Sequence, residues 1–190
     1  MVKEAHMAEV ASGWAPISPG WFVVNARDAA WTNNDEYGGV CIFESDEFVL
    51  RGRPDLTEYV KPCAGFTLRV VPPGKPNSLY HAESVQEDFL ILQGECLLVI
   101  EDQERRLGPW DFVHCPPGTG HAFVNVGDTP CIMIATGNRR DDLERTSPHS
   151  EVALRHHAGV EPDHPQSAKR GTWEVERPAG WDELPWADRA

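Results

Sequence analysis

The sequence contains no apolar run long enough to cross a bilayer, and its first residues lack the apolar core of an export signal. Basic residues are also scarce, because 17 Lys and Arg stand against 30 Asp and Glu, a formal net charge of −13. An acidic surface of this kind disfavours nucleic acid and anionic membranes as partners, and it favours solubility. We therefore expect a cytoplasmic protein with no nucleic-acid partner and no membrane partner.

Cysteine pairs at metal-binding spacing are missing as well. The chain has five cysteines, an odd number, and no two of them form a C-x-x-C motif. This usage is typical of reduced thiols and argues against a disulfide framework or a zinc–thiolate site. Each cysteine is expected to be a small buried hydrophobe. Cys115, which lies beside a motif described below, is the one to consider for reactivity.

Short apolar runs of strand length dominate the chain from about residue 21 to residue 136. They are bounded by Gly, Pro, Asn or Asp, and two pairs, Gln93-Gly94 and Asp102-Gln103, stand at hairpin-turn positions. Many short strands with regular turn signals predict an all-β sandwich or barrel. Several runs are apolar at consecutive positions, which indicates strands buried on both faces, against a second sheet, the terminal segments or a partner subunit.

The length of 190 residues suits one domain with extensions. We divide the chain into an N-terminal extension at 1–20, a β-barrel at 21–137 and a C-terminal extension at 138–190. Within the last segment, the charged stretch 139–145 is interpreted as a solvated linker.

One short helix is predicted in the C-terminal extension. Ser147 would be its N-cap and Pro148 its first helical residue, with Gly159 just past its end. The tail that follows contains three tryptophans, which we expect to anchor it to the barrel or to a neighbouring subunit. They are Trp173, Trp181 and Trp186.

Two short motifs, at 74–94 and 110–125, contain four potential metal ligands. These ligands are His81, Glu83, Glu87 and His121. Residues i and i+2 of a strand point to the same face, so the first two would project together, and the other two would each open a further strand facing the same interior. Imidazole and carboxylate bind first-row divalent metals well, so the pattern predicts one divalent metal in the chain, manganese, iron(II), nickel or zinc.

The two motifs resemble those of the cupins, a superfamily of small double-stranded β-helix barrels. The matching positions are Gly74, His81, Glu87, Gly94, Asp111, Pro116, Gly118, His121 and Asn125. The resemblance spans about residues 65–136. It implies a jelly-roll-like cupin barrel that holds iron, manganese, nickel or zinc, and it implies a homodimer, since cupins are often dimers.

Two positions depart from the cupin pattern. Glu83 stands where a second histidine is usual, and Trp110 stands where glycine is usual. If Glu83 coordinates, the site has two histidines and two carboxylates. If it does not, the other three ligands form a two-His-one-carboxylate triad, and Glu83 is a candidate catalytic base beside it. Strand parity favours coordination.

A pocket beside the metal would be largely apolar. Phe89 and Gln93 share strand parity with Glu87, and Phe123 shares it with His121. Arg69 would hold a carboxylate or phosphate if it points inward, and would otherwise lie at the surface or in an interface.

Such a cavity suits a small organic substrate. The resemblance to the cupins implies a metal-dependent enzyme of dioxygenase, isomerase or lyase type. The alternatives are a non-catalytic barrel that binds a small ligand and a metal-free structural barrel.

Overall fold

The computed structural model describes residues 3–18, 24, 26–42, 64–140, 142–160 and 171–186. Residues 21–23, 25 and 43–63 of the predicted β-barrel lie outside these residues, and Cys63 is among them. In the described part of the chain, no helix is long and apolar enough to span a bilayer.

Strands dominate the described residues, with one short α-helix and one 3-10 turn. The strands are β1 (Met7–Val10), β2 (Gly13–Pro16), β3 (Trp31–Asn34), β4 (Gly38–Ile42), β5 (Ala64–Val71), β6 (Ala82–Glu83), β7 (Glu87–Gln93), β8 (Cys96–Ile100), β9 (Gln103–Leu107), β10 (Phe112–Cys115), β11 (His121–Val124), β12 (Cys131–Asn138) and β13 (Arg145–Thr146). The α-helix, α1, is Glu151–Arg155, and the 3-10 turn is Trp181–Glu183.

Two antiparallel sheets enclose the main core. The larger sheet has the order β10-β7-β12-β5-β4-β3, and the smaller has the order β11-β8-β9. Ile91 and Met133 from the larger sheet pack in one cluster with Leu98 and Phe123 from the smaller. This jelly-roll arrangement of strands confirms the predicted all-β fold.

The outer face of the larger sheet is covered by the C-terminal tail. Trp31 is fully buried there, with its ring centroid 5.3 Å from that of Trp181 and 5.5 Å from that of Trp186. Trp173 stacks on Tyr37 at 6.3 Å. The tail tryptophans therefore anchor the tail to the barrel, and the sheet is buried on both faces because the tail supplies a second apolar layer.

One of the two predicted hairpins is wrong. β7 pairs with β10 and β12, whereas β8 pairs with β9 and β11, so Gly94 (φ 77°) carries the chain from one sheet to the other. The second hairpin does form, between β8 and β9, but one residue earlier than predicted. Glu101 and Asp102 occupy its turn with φ of 46° and 57°.

The helix begins later than predicted. Its N-cap is Ser150 and not Ser147, because the Ser150 hydroxyl accepts the Ala153 N–H at 3.1 Å and donates to Asp102 Oδ1 at 2.6 Å. This second bond ties the start of α1 to the β8–β9 turn. The helix ends at Arg155, with His156 as its C-cap, before Gly159.

Candidate metal centre

A backbone bridge brings the two motifs together. The His81 N–H donates to the His121 carbonyl at 3.1 Å, and the His121 N–H donates to the His81 carbonyl at 2.9 Å. The imidazole centroids consequently lie 4.8 Å apart. Glu83 ends β6 and Glu87 begins β7, so both carboxylates enter the same region from neighbouring strand ends.

Backbone carbonyls fix the orientation of both imidazoles. His81 Nδ1 lies 2.8 Å from the Leu79 carbonyl, and His121 Nδ1 lies 3.0 Å from the Thr119 carbonyl. A carbonyl oxygen only accepts, so each Nδ1 carries the hydrogen and each Nε2 keeps its lone pair. This arrangement orients a histidine to bind a metal through Nε2.

The distances among three of the four predicted ligands fit a single ion. His121 Nε2 lies 3.5 Å from Glu87 Oε2, and His81 Nε2 lies 4.0 Å from the same oxygen. Two atoms that each lie about 2.1 Å from one metal are separated by about 3 to 4.2 Å, depending on the angle at the metal. His81, Glu87 and His121 offer ligand atoms within 4.8 Å of one another, a group able to hold a metal ion.

Two buried polar atoms at this centre lack hydrogen-bond partners among the described residues. They are His121 Nε2 and Glu83 Oε2. Leaving such an atom unpaired in the interior costs about 1–3 kcal/mol, more for a charged group, so a native structure usually provides a partner. The donor types and their unmet bonding capacity both fit a divalent cation.

Glu83 lies beside the three-residue group and not within it. Its Oε1 is 3.9 Å from His81 Nε2, and its side chain is 13% exposed. Burial raises the pKa of Glu83, and the charge of Glu87 raises it further. A buried carboxyl with a raised pKa next to a cation site is suited to accepting a proton.

Burial also controls the protonation of the other ligands. It lowers the pKa of His81 well below its ordinary value, with Arg145 acting in the same direction, and it lowers the pKa of His121. Both imidazoles are thus held neutral, the form that binds metal. Burial raises the pKa of Glu87, while Arg145 opposes the shift.

The predicted apolar pocket residues line the inside of the barrel. Phe89 and Phe123 are buried with ring centroids 4.5 Å apart, and the Phe89 ring lies 5.2 Å from that of His121. Gln93 is half-buried at the end of β7. A bulge in the β7–β12 pairing leaves Gln93 opposite Ile132, which packs with Trp31 on the outer face of the larger sheet. The strict alternation of inward and outward side chains that starts at Glu87 therefore ends before Gln93.

Arg69 lies on the inner face of β5. It pairs with Met133, a residue of the main core, and antiparallel partners project to the same side. Its Nη1 donates to the Asn77 carbonyl at 3.4 Å, and its charge lowers the pKa of Glu87.

Two arginines of the stretch interpreted as a solvated linker also act on the centre. Arg139 follows β12, and Arg145 is the β13 partner of Glu83; the charges of both lower the pKa of Glu83 and of Glu87. Arg145 is exposed, as the linker interpretation expects, but it lies in a strand, and the charges of both arginines reach the two carboxylates. In the sequence, only the clustering of arginine in 139–145 could have indicated that Arg139 and Arg145 belong to the site.

Other residues near the motifs have structural roles. Asn125 donates to the Val71 and Thr129 carbonyls at 2.8 Å, and thereby ties two loops together. His114 points outward, with its side chain 51% exposed, and contacts Asp88 at 2.6 Å. Burial raises the pKa of the Cys115 thiol to about 12, which argues against the reactivity considered for it.

Comparison with known proteins supports the same fold. Residues 67–137 match the family model described as a cupin domain. An uncharacterised protein from Methanocaldococcus jannaschii is 26% identical over 65 residues, which cover 34% of this chain and 52% of that protein. The match thus spans about half the length of this curated relative.

Two solved structures are similar to this chain. A sugar phosphate isomerase of the cupin superfamily from Silicibacter pomeroyi superposes with a TM-score of 0.52 at 20% identity, over 65% of this chain and 80% of that one. KdgF from Halomonas sp. superposes with a TM-score of 0.48 at 19% identity, over 65% of this chain and 98% of that one. At 20% identity the likeness to the isomerase concerns the fold alone.

Proposed function

We propose that this chain, in which residues 67–137 match the cupin family model, is a metal-dependent enzyme acting on a small organic molecule inside the barrel. The reaction we propose is of isomerase or lyase type, in which a proton is moved at the substrate. Among the types considered from the sequence, these two require a base beside the metal, and Glu83 is placed to serve as one.

The observation that carries the proposal is the unmet bonding capacity of His121. Its Nε2 is buried, has no hydrogen-bond partner among the described residues, and lies 3.5 Å from Glu87 Oε2. His81, Glu87 and His121 would hold the metal, one ion in each chain. Two imidazoles and a carboxylate suit iron(II), manganese, nickel and zinc. When bound, such a metal supplies Lewis acidity that polarises an oxygen of the substrate.

The protein's own residues would do the remainder of the chemistry. Glu83 would take the proton, because its carboxylate lies beside the three ligands, with Oε1 3.9 Å from His81 Nε2. Phe89 and Phe123 would exclude water from one side of the centre, because both rings are buried against it. If Glu83 instead coordinates, the centre has two histidines and two carboxylates and requires another base.

Metal binding is tested by comparing His121→Ala with a matched control, His114→Ala. His114 is another strand histidine, but it points outward. After reconstitution with each candidate metal and gel filtration, we expect about one bound metal per chain in the wild type and in the control, and a loss in His121→Ala. Circular dichroism would check that the fold is kept. Unchanged metal content in His121→Ala would refute the proposal.

Catalysis requires a separate measurement. We expect turnover by the metal-loaded protein only, and a fall of about 10²–10⁴-fold in kcat for Glu83→Gln with metal retained. Metal-dependent binding of a small ligand without turnover would instead support the non-catalytic module. The expected homodimer and the cytoplasmic location stay predictions; gel filtration with light scattering would test the former.

A further inference from the structure

A pair of facing glycines makes room for the guanidinium of Arg139. Gly65 on β5 opposes Gly137 on β12, and Gly137 opposes Glu87 on β7. A Cβ built on Gly65 would overlap the Arg139 guanidinium. A Cβ on Gly137 would lie 3.2 Å from Arg139 Nη1 and 3.6 Å from Glu87 Cγ. The half-buried guanidinium therefore lies over the two glycines, next to Glu87.

These glycines belong to the inner face of the barrel. Along β12, Met133 lies in the main core and Ala135 packs against it, so Gly137 follows on the same face two residues later. The three positions Gly65, Gly137 and Glu87 thus form the last inward-facing row of the sheet. Arg139 caps this row at the mouth of the barrel.

Arg145 reaches the same mouth from the opposite side. It pairs with Glu83, and antiparallel partners project to one face. Two bonds hold its segment in place: the Ser84 N–H donates to the Glu144 carbonyl at 2.8 Å, and the Glu144 N–H donates to the Ser84 hydroxyl at 2.9 Å. The Arg145 side chain is exposed, and hence accessible to a molecule that enters the barrel.

The charge around the centre is opposite in sign to that of the whole chain. The formal net charge is −13, yet Arg69, Arg139 and Arg145 outnumber the carboxylates Glu83 and Glu87 at this site. A divalent metal would add two further positive charges. Such a local field in an acidic protein attracts an anion.

Two of the nearby acidic side chains, Asp88 and Asp142, have partners of their own. Asp88 contacts His114 and accepts from Gln86 Nε2 at 2.6 Å. Asp142 binds Arg140 through both carboxylate oxygens, at 2.8 Å and 2.6 Å. Their charges are therefore partly offset by these partners.

We infer that Arg139 and Arg145 bind an oxyanion of the substrate, a carboxylate or a phosphate, beside the metal centre, with Arg69 contributing positive charge from within. A guanidinium offers paired N–H donors that match the two oxygens of such a group. The substrate class is accordingly a small organic acid or an organic phosphate. The inference rests on the proposed function, because it names the substrate class of the same site.

Isothermal titration calorimetry with inorganic phosphate and with acetate tests the inference, with chloride as the control for ionic strength. Each titration is made on cobalt(II)-loaded and on metal-free protein. We expect phosphate or acetate to bind more tightly than chloride, and Arg139→Gln to raise Kd about tenfold or more, with a smaller rise for the exposed Arg145→Gln. The matched control is Arg140→Gln, since Arg140 is held by Asp142; its Kd should stay within about twofold of the wild type.

A second variant acts on Arg139 without changing it. Gly65 is not in the left-handed region, so Gly65→Ala suits the backbone while its methyl displaces the guanidinium. We expect it to weaken anion binding as Arg139→Gln does, with the circular dichroism spectrum kept. Whichever of the two anions binds more tightly assigns the substrate as a phosphate or a carboxylate.

Two results would overturn the inference: neither anion binding more tightly than chloride, or equal Kd values for wild type, Arg139→Gln and Arg145→Gln. Failure of the wild type to take up cobalt(II) or any of manganese, iron(II), nickel and zinc is a different result, and it would refute the proposed metal centre. In that case the anion Kd values of the wild type and the variants, compared in metal-free protein, still decide whether the arginines form an anion site.

Discussion

Glu83 and Glu87 should differ in how far each supports metal binding, although both are partly buried carboxylates at one centre. Glu87 belongs to the group whose ligand atoms lie within 4.8 Å of one another, whereas Glu83 lies outside it. We therefore expect Glu87→Gln to remove a ligand and Glu83→Gln to remove a neighbour of the metal. The readout is the rise in Tm that saturating metal produces.

The size of that rise follows from the binding equilibrium. With free metal at about 100 times Kd, binding adds about 2.7 kcal/mol to the free energy of unfolding. For a chain of 190 residues this raises Tm by about 5–11 °C, at about 2–4 °C for each kcal/mol. Loss of a neighbouring group that weakens binding about tenfold leaves about 1.4 kcal/mol, close to half of the rise. Loss of a ligand that weakens binding about a hundredfold or more leaves at most about 0.4 kcal/mol.

Differential scanning calorimetry of wild type, Glu83→Gln and Glu87→Gln, each with and without metal, measures these shifts. We expect the metal to raise Tm by the full amount in the wild type, by about half of it in Glu83→Gln and by almost nothing in Glu87→Gln. If Glu83→Gln abolishes the rise as Glu87→Gln does, Glu83 is a ligand and its assignment as the base is refuted. A full rise in Glu87→Gln would refute the ligand set itself.

Three further predictions concern the rest of the molecule. Burial raises the pKa of Cys41 and of Cys115 to about 12, so iodoacetamide at pH 8 should leave both unmodified in the native protein, and peptide mapping that finds either alkylated at the rate of the unfolded chain would contradict this. Trp31→Ala should lower the free energy of unfolding by about 3–5 kcal/mol, measured by urea denaturation, because the ring is fully buried under the tail. The hydrogen bond from His156, and to a smaller extent that from Arg155, lowers the pKa of Glu104 in the folded protein. The Glu104 carboxylate therefore stabilises the fold at pH values above its unfolded pKa, and this stabilisation is lost as the pH falls through its folded pKa. Glu104→Gln should therefore be less stable than wild type near pH 6, and the difference should shrink as the pH falls below the folded pKa; a difference that stays constant down to acid pH would be inconsistent with the shift.

Residues close together in the sequence were predicted well. The i, i+2 parity of His81 and Glu83 and the turn before His121 place these side chains at one centre because each depends on the local backbone. Within the described residues the apolar runs likewise form strands, and the all-β fold is confirmed.

Residues that meet only through sheet pairing were not predicted. Arg145 reaches Glu83 because β13 pairs with β6, more than sixty positions earlier in the chain, and Arg139 depends on Gly65 and Gly137 lying opposite each other. No local period in a single sequence indicates such pairings. The bulge that redirects Gln93 is a similar case, since it depends on the register with β12.

The most direct test of the metal centre is an anomalous difference map from crystals of the metal-loaded protein, with data collected on both sides of the metal's absorption edge. We predict one peak in each chain, within about 2.2 Å of Nε2 of His81, Nε2 of His121 and a carboxylate oxygen of Glu87. A peak bound by other residues, or no peak at these three in protein saturated with metal, would contradict the assignment.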